Sequence, residues 1–256
     1  MIVGLSACAR EEVAYFEQPV ETLYNNAMDL MLSNNFTLAA IAFDDVERQH
    51  PYSVWATKAQ IMTAYSYYQS NQYDEAILAA KRFINLHPGH RDVDYAYYLV
   101  ATSYYEQISD VGRDQKMTEL AFDSLDEVVR RFPDSDYARD AVLKINLTRD
   151  HLAGKEMEIG RYYQNNVQHI AAINRFRIVI DKYQTTSHVP EALLRLTESY
   201  LALGVTDEAQ ATAAVLGYNF PGSEWYQDSY ALLTGLDLRP QANQESWISR
   251  AWNSVF

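Results

Sequence analysis

The chain has little of the residues that make tight turns and covalent cross-links. Its 256 residues include nine glycines, seven prolines and one cysteine. So few glycines and prolines argue against a β-rich fold with many turns and against a glycine-rich nucleotide-binding enzyme. A single cysteine excludes an internal disulfide and a cysteine-rich metal site. No apolar run approaches the roughly 18 residues of a membrane-spanning helix.

Basic residues are also scarce, with 21 against 34 acidic residues and a net charge of -13. This balance excludes nucleic acid as an expected partner. The one positive block is residues 136–185, with eight basic and six acidic residues, and we call it the basic island. We expect Arg161, Arg175 and Arg177 of this block to bind an acidic protein partner. The alternative is a solvated helix face with intrahelical ion pairs.

The cysteine stands at the end of a short apolar segment. Residues 5–8 read Leu-Ser-Ala-Cys and resemble a bacterial lipobox, in which a signal peptidase cuts just before a diacylated cysteine. Only seven residues precede Cys8, which is too few for a full signal peptide. We interpret residues 1–19 as a signal-peptide remnant, a lipidated Cys8 and a linker. A chance cysteine near the terminus is the alternative.

Small residues recur at fixed offsets along the rest of the chain. A second small residue follows the first by 12 positions, or by 20 in the third of five units, and a proline follows 12 later in four units. The pairs are Ala27 and Ala39, Ala64 and Ala76, Ala101 and Ala121, Gly160 and Ala172, and Thr197 and Ala209. Small side chains let two antiparallel helices touch, and proline ends the second one. The spacing resembles the tetratricopeptide repeat.

These units predict an all-α fold, a right-handed tetratricopeptide-repeat α-solenoid of five helix pairs plus a C-terminal tail helix. We expect residues 20–135 to form an N-terminal half with repeats 1–3. Residues 136–235 would form a C-terminal half with repeats 4 and 5. Residues 236–256 would be a linker and an amphipathic tail.

Two departures from the repeat carry predictions of their own. The extra residues of the third unit fall at 108–115 and predict an exposed loop. From Tyr137 to about Asn165 only two glycines interrupt the pattern, which predicts one long helix. In the tail, one helical face would carry Trp247, Ile248, Ala251, Trp252 and Val255.

Aromatic and large aliphatic side chains concentrate at the positions that face the concave side of the first three repeats. They are Tyr24, Met28, Met31, Tyr65, Tyr68, Tyr98 and Tyr105. Tyrosine offers ring area and a hydroxyl at low entropic cost, so this surface suits an extended peptide with aromatic side chains. The alternative is that the rings only pack against neighbouring helices.

No catalytic grouping emerges from the pattern. The six histidines are scattered, and the zinc-peptidase, P-loop and nucleophile-elbow motifs do not occur. His87 and His90 with Asp92 could bind a metal weakly, but they lie at a turn between repeats, and we expect a structural role. We therefore expect neither an enzyme nor a cofactor or metal site.

The local sequence resembles the BamD family of outer-membrane lipoproteins more specifically than the repeat does. Residues 39–43 (Ala-Ala-Ile-Ala-Phe), 82–88 (Arg-Phe-Ile-Asn-Leu-His-Pro) and 172–175 (Ala-Ile-Asn-Arg) carry the resemblance. It covers about residues 11–233 and leaves the tail with its two tryptophans outside.

The resemblance implies a scaffold held by lipid on the periplasmic face of the outer membrane. Its N-terminal half would receive unfolded β-barrel proteins through an aromatic-ended C-terminal signal. Its C-terminal half would dock the POTRA region of the barrel insertase BamA, where Arg175 matches a family arginine, and other Bam lipoproteins would bind as well. The alternative function is that of another periplasmic repeat adaptor lipoprotein, for example one that coordinates cell-wall synthesis.

Overall fold

The computed structural model describes residues 18–253, which form twelve α-helices and, within these bounds, no strand. The helices are α1 (Val20–Leu32), α2 (Phe36–Gln49), α3 (Val54–Gln69), α4 (Tyr73–Leu86), α5 (Val93–Tyr105), α6 (Lys116–Arg131), α7 (Asp136–Asn165), α8 (His169–Lys182), α9 (Val189–Ala202), α10 (Thr206–Asn219), α11 (Glu224–Thr234) and α12 (Trp247–Asn253). Cys8 and Val255 lie outside the described residues. The predicted all-helical architecture is confirmed for these residues.

The helices fall into two compact units, which divide between Pro88 and Gly89. Unit 1 contains the hairpins α1–α2 and α3–α4, and α2 also packs against α3. Its core includes Phe43 of α2 and Phe83 of α4, both fully buried. Glu47 of α2 ties the hairpins together, because its Oε1 accepts hydrogen bonds from Gln60 at 2.8 Å and Arg82 at 2.6 Å.

Unit 2 contains three hairpins, α5–α6, α7–α8 and α9–α10, and each packs against the next through α6 on α7 and α8 on α9. Its largest core cluster is formed by α7 to α10 around Met157, Phe176 and Leu196. Two further helices follow the last hairpin: α11 packs on α9 and α10, and α12 packs on α8 and α10.

Small residues lie where the two helices of each hairpin meet, as the spacing predicts. All ten residues of the five pairs are buried. The closest approach occurs at Gly160 of α7, where an added Cβ would lie 2.4 Å from Cε1 of Phe176 on α8. The hairpin contact therefore depends on the absence of a side chain at this position.

Four of the five hairpins share one turn geometry at the end of their first helix. A residue with left-handed backbone follows that helix, namely Asn34, Asn71, Val167 or Gly204, with φ between 60° and 73°. The amide of the next residue then donates a 2.9 Å hydrogen bond to the carbonyl five positions back, as in a Schellman motif. The third hairpin, which carries the insertion, is the exception.

The long helix and the insertion of the third repeat occur as predicted. Helix α7 runs for 30 residues from the N-cap Ser135, whose Oγ accepts a hydrogen bond from the amide of Tyr137. The insertion loop, residues 106–115, is held against α7 by two contacts. His151 Nε2 lies 2.8 Å from the carbonyl oxygen of Ser109, and Lys155 donates to the carbonyl of Gly112 at 3.0 Å.

Candidate binding surfaces

In unit 1, Tyr24 of α1 packs against the hydrophobic core. Its ring lies 5.4 Å from the ring of Phe43 and 4.8 Å from that of Trp55, between ring centroids. Burial raises the pKa of its hydroxyl. Met28 and Met31, from the same helix, are half-buried against this cluster. These three residues contribute to packing first and offer only part of their surface to a ligand.

Helix α3 places the other two unit 1 tyrosines of the predicted peptide surface. Tyr65 and Tyr68 are three positions apart and half-buried, while Ile61 one turn earlier is buried. Tyr68 meets Tyr73 of α4 edge to face, with ring centroids 5.8 Å apart. Of the unit 1 tyrosines predicted to bind peptide, Tyr65 and Tyr68 lie outside the core cluster that includes Tyr24.

In unit 2, the predicted tyrosines belong to a polar ladder between α5 and α7. The hydroxyl of Tyr98 donates to Oδ2 of Asp140 at 2.5 Å, and Lys144 donates to the same oxygen at 2.7 Å. The Lys144 ammonium lies 5.6 Å from the ring centroid of Tyr105. Tyr98 also stacks on Tyr137, with ring centroids 5.1 Å apart.

Two side chains of the ladder have shifted pKa values. Burial raises the pKa of Asp140, but the hydrogen bonds from Lys144 and Tyr98, together with the charge of Lys144, outweigh it, so the net pKa lies below its ordinary value. Burial and the charges of Asp94, Asp92 and Asp136 raise the pKa of Tyr137. Asp140 thus stays ionised as the acceptor that positions Tyr98.

An open cleft of about 400 Å³ adjoins this ladder where α5, the insertion loop and α7 meet. Tyr105, Ile108 and Leu147 supply its apolar lining, and His151 supplies a polar edge. The sequence analysis missed Leu147 and His151. Their spacing of four on a helix that also carries the exposed Leu143 was the available signal.

The three arginines of the basic island that were singled out as partner-binding residues are half-exposed, and each contacts a neighbouring element. Arg161 Nη1 donates to both carboxylate oxygens of Glu191, at 3.0 and 2.9 Å. Arg175 Nη1 lies 3.1 Å from Oε2 of Glu156. The guanidinium of Arg177 lies 4.2 Å from the ring centroid of Trp247.

The contacts of these three arginines are not pairs within one helix, because they join α7 to α9, α8 to α7 and α8 to α12. Intrahelical pairs occur elsewhere in the basic island, for example between Lys144 and Asp140. Glu191 itself belongs to a network, since Arg195 lies between it and Glu198 at 3.4 and 3.0 Å. Part of each of the three arginine side chains remains accessible to solvent.

Residues 18–253 hold no group of three or more histidine, cysteine or acidic side chains arranged for a metal ion. The two histidines singled out in the sequence each lie within hydrogen-bonding distance of another residue. His87 Nε2 lies 2.8 Å from Oε1 of Gln60, and Nδ1 of His90 accepts from the amide of Asp92 at 3.2 Å.

Comparison with known proteins places the chain in a family. Residues 16–216 match the family model YfiO, described as outer membrane lipoprotein. The chain belongs to this family.

Relatives of this YfiO-family chain carry one common name. A Caulobacter vibrioides protein is 53% identical over 240 residues, which cover 93% of this chain and 79% of the relative. A Rickettsia prowazekii protein is 50% identical over 215 residues, 84% of this chain and 86% of the relative. A Neisseria meningitidis serogroup A protein is 37% identical over 237 residues, which cover 86% of this chain and 89% of the relative. Each is named outer membrane protein assembly factor BamD, so the resemblance to the BamD family is confirmed.

None of the YfiO-family chain's helices within residues 18–253 is both long and apolar enough to span a membrane. The proposed lipid attachment site, Cys8, lies outside the described residues and outside the family match, which begins at residue 16. Of the candidate binding residues, all three arginines and all the tyrosines and methionines lie inside that match.

Proposed function

We propose that this protein is an outer-membrane protein assembly factor that works as a binding scaffold rather than as an enzyme. The observation that carries the proposal is the family match, together with relatives of that name at 53% and 50% identity over most of the chain. The stacked helix hairpins support it, because such repeats expose extended surfaces for protein partners.

The first element of the proposal is a lipid anchor at Cys8 on the periplasmic face of the outer membrane. The lipobox-like residues 5–8 support it, and two or three acyl chains give stable anchoring where one does not. We expect Cys8→Ser, expressed behind a working signal sequence and without the other complex members, to fractionate as a soluble periplasmic protein. A variant that stays with the membrane under these conditions contradicts the anchor.

The second element is a surface for unfolded β-barrel proteins. We propose that an extended, aromatic-ended peptide contacts Tyr65 and Tyr68 of unit 1. Unit 2, taken by itself, offers Tyr105 and its adjoining cleft to such a peptide. Partial exposure of these rings supports the assignment. Tyr24 and Tyr98 take a supporting part, because their rings are committed to Trp55 and Tyr137.

Titration of a barrel protein's C-terminal peptide tests this surface. Each aromatic contact is worth about 0.5–1.5 kcal/mol beyond its buried area, so Tyr65→Ala and Tyr68→Ala should each weaken binding severalfold. The control is Tyr52→Ala, since Tyr52 is a fully exposed tyrosine of the same unit. Equal binding of a scrambled peptide, or of a peptide without its terminal aromatic residue, contradicts the proposal.

The third element is the docking of the insertase's POTRA region, and with it other Bam lipoproteins, on unit 2. Arg161, Arg175 and Arg177 lie on α7 and α8 with part of each side chain accessible, which suits an acidic partner surface. Their internal partners hold the guanidinium groups in place before a partner arrives, which lowers the entropic cost of binding.

Charge reversal at Arg175 tests the docking surface. If Arg175 meets a partner carboxylate, Arg175→Glu should cost about 2–5 kcal/mol of binding free energy to the purified POTRA region. Arg175→Gln separates this effect from repulsion by Glu156, because it removes the charge without adding another. The control is Arg130→Glu on α6, which makes the same charge change at an exposed position outside the island. Unchanged POTRA binding by both Arg175 variants rules out this role.

A further inference from the structure

The C-terminal segment, residues 239–253, folds back onto unit 2, and we call it the strap. It ends in the short helix α12, which packs on α8 and α10. The family match ends at residue 216, so none of the strap falls within it. The strap fills a groove whose walls are α8 and α10 and whose floor includes Tyr200 of α9.

Trp247 anchors the strap through its indole N–H and through the face of its ring. Its indole N–H donates a 2.7 Å hydrogen bond to the hydroxyl oxygen of Tyr200, a side chain that is only 7% exposed. Its ring face lies under the guanidinium of Arg177, 4.2 Å from the ring centroid. A cation over an indole face and a hydroxyl that accepts the indole N–H together select tryptophan over other aromatic residues.

The apolar face of α12 completes the contact. Ile248 is fully buried and Trp252 nearly so, and the Trp252 ring meets Phe220, the residue that follows α10, edge to face, with centroids 6.1 Å apart. The groove thus accommodates an amphipathic helix in which a tryptophan is followed directly by an apolar residue and, four positions later, by a second tryptophan.

The connection that precedes α12 is attached to α10 less extensively than α12 itself is. Gln210 of α10 bonds both the carbonyl of Arg239, at 2.7 Å, and the amide of Gln241, at 3.2 Å, and Ser246 bonds Glu208 at 2.7 Å. The residues between these points are mostly exposed and border an open cleft of about 390 Å³. Side chains do not fill the space between this stretch and α10.

The described part of helix α12 is Trp247–Asn253, and the stability of a helix in a protein comes mostly from packing of its apolar face. Its helical form therefore depends on the groove, so release of the strap and loss of the helix are one event. We propose that the groove between α8 and α10 is a docking site for a short amphipathic helix with a leading tryptophan, and that the protein's own strap occupies it reversibly.

Hydrogen exchange on the full-length protein tests the reversible opening. Amides of residues 248–253 should exchange through an opening that leaves α9 and α10 protected. Trp247→Ala and the milder Arg177→Gln should each speed strap exchange severalfold without changing protection in α5 to α7. Exchange of the strap only together with α9 and α10 overturns the proposal.

A labelled synthetic peptide of residues 239–253 tests the site itself. In wild-type protein the strap competes with the peptide, so Trp247→Ala protein should bind the peptide at least tenfold more tightly. The same substitution in the peptide should abolish binding, and adding Tyr200→Phe to the protein should weaken it by removing the acceptor. The control is Tyr218→Ala, an exposed tyrosine on α10, which should bind the peptide as weakly as wild type does.

Three further outcomes, two from peptide binding and one from dimerisation, would also overturn all or part of the proposal. Equal peptide binding by wild-type and Trp247→Ala protein, or equal binding of the two peptides, overturns the docking site. Concentration-dependent dimerisation of wild-type protein that Trp247→Ala abolishes would assign the groove to the strap of a second copy, and it overturns the intramolecular assignment.

Discussion

Gly160 shows how much a single position can matter in these hairpins. An added Cβ would lie 2.4 Å from a ring carbon of Phe176, which is fully buried and cannot move aside freely. Alanine normally stabilises a helix by about 1 kcal/mol relative to glycine. Overpacking costs about 1–3 kcal/mol, so the clash should outweigh that gain.

We therefore expect Gly160→Ala to lower the free energy of unfolding by about 1 kcal/mol net, measured by urea denaturation. The matched control is Gly222→Ala, because an added Cβ there meets nothing within 4 Å. A Gly160→Ala protein as stable as wild type would mean that α7 and α8 can separate without loss.

Asp140 predicts a pH dependence of stability. Its pKa lies below the ordinary 3.8 in the folded state, so the folded protein binds the proton less readily than the unfolded chain does. The stabilisation is complete above pH 3.8 and is lost as the pH falls through the folded-state pKa.

Asp140→Asn should therefore lower stability most near neutral pH, and the difference from wild type should shrink below pH 3.8. Thermal melts across this range measure the effect. Asp126→Asn, an exposed aspartate on α6, is the control. A difference independent of pH would mean that the ladder from Tyr98 to Lys144 does not favour the ionised carboxylate.

At the scale of elements, the turn between α7 and α8 carries local strain. Val167 adopts a φ of 61°, where a β-branched side chain is disfavoured, and the side chain is 74% exposed. The equivalent turns of the first two hairpins use Asn34 and Asn71. Asparagine tolerates the left-handed region better.

We expect Val167→Asn to raise the free energy of unfolding by about 0.5–1 kcal/mol, because it relieves this strain and removes little buried surface. Denaturation midpoints measure the effect. Asn71→Val should have the opposite sign in unit 1 and serves as the reverse control. A destabilising Val167→Asn would mean that the valine makes an apolar contact that outweighs its backbone strain.

The helix pairs could be predicted because the sequence signals that mark them lie within each repeat. Small residues at fixed offsets mark the hairpin contacts, and a stretch with few breakers marks α7. Helix α11 was not predicted as a separate element, since no repeat position marks it and only Ser229 and Leu233 are buried. Its sequence signal was the N-cap Ser223, whose Oγ accepts from the amide of Tyr226.

Contacts between distant residues were not predictable in the same way. The pairs of Arg161 with Glu191, and of Arg177 with Trp247, join residues far apart in the chain. Neither partner carries a spacing that points to the other. The choice between packing and binding for Tyr24 likewise depends on Trp55, which comes from the next hairpin.

Over the whole molecule, one charge pattern accompanies the family match. The chain has a net charge of -13, and its one positive block carries the proposed docking arginines. The chain belongs to the YfiO family of outer membrane lipoproteins, and its relatives are named assembly factors. We propose on these grounds that this protein works beside a barrel insertase.

Co-purification from outer membranes tests that claim most directly. The tagged full-length protein, expressed at its native level, should recover a barrel insertase with its POTRA region after mild detergent extraction, and Arg175→Glu should recover less of it. Recovery of cell-wall synthesis proteins without any insertase would contradict the account and would assign the protein to the other class of repeat adaptor.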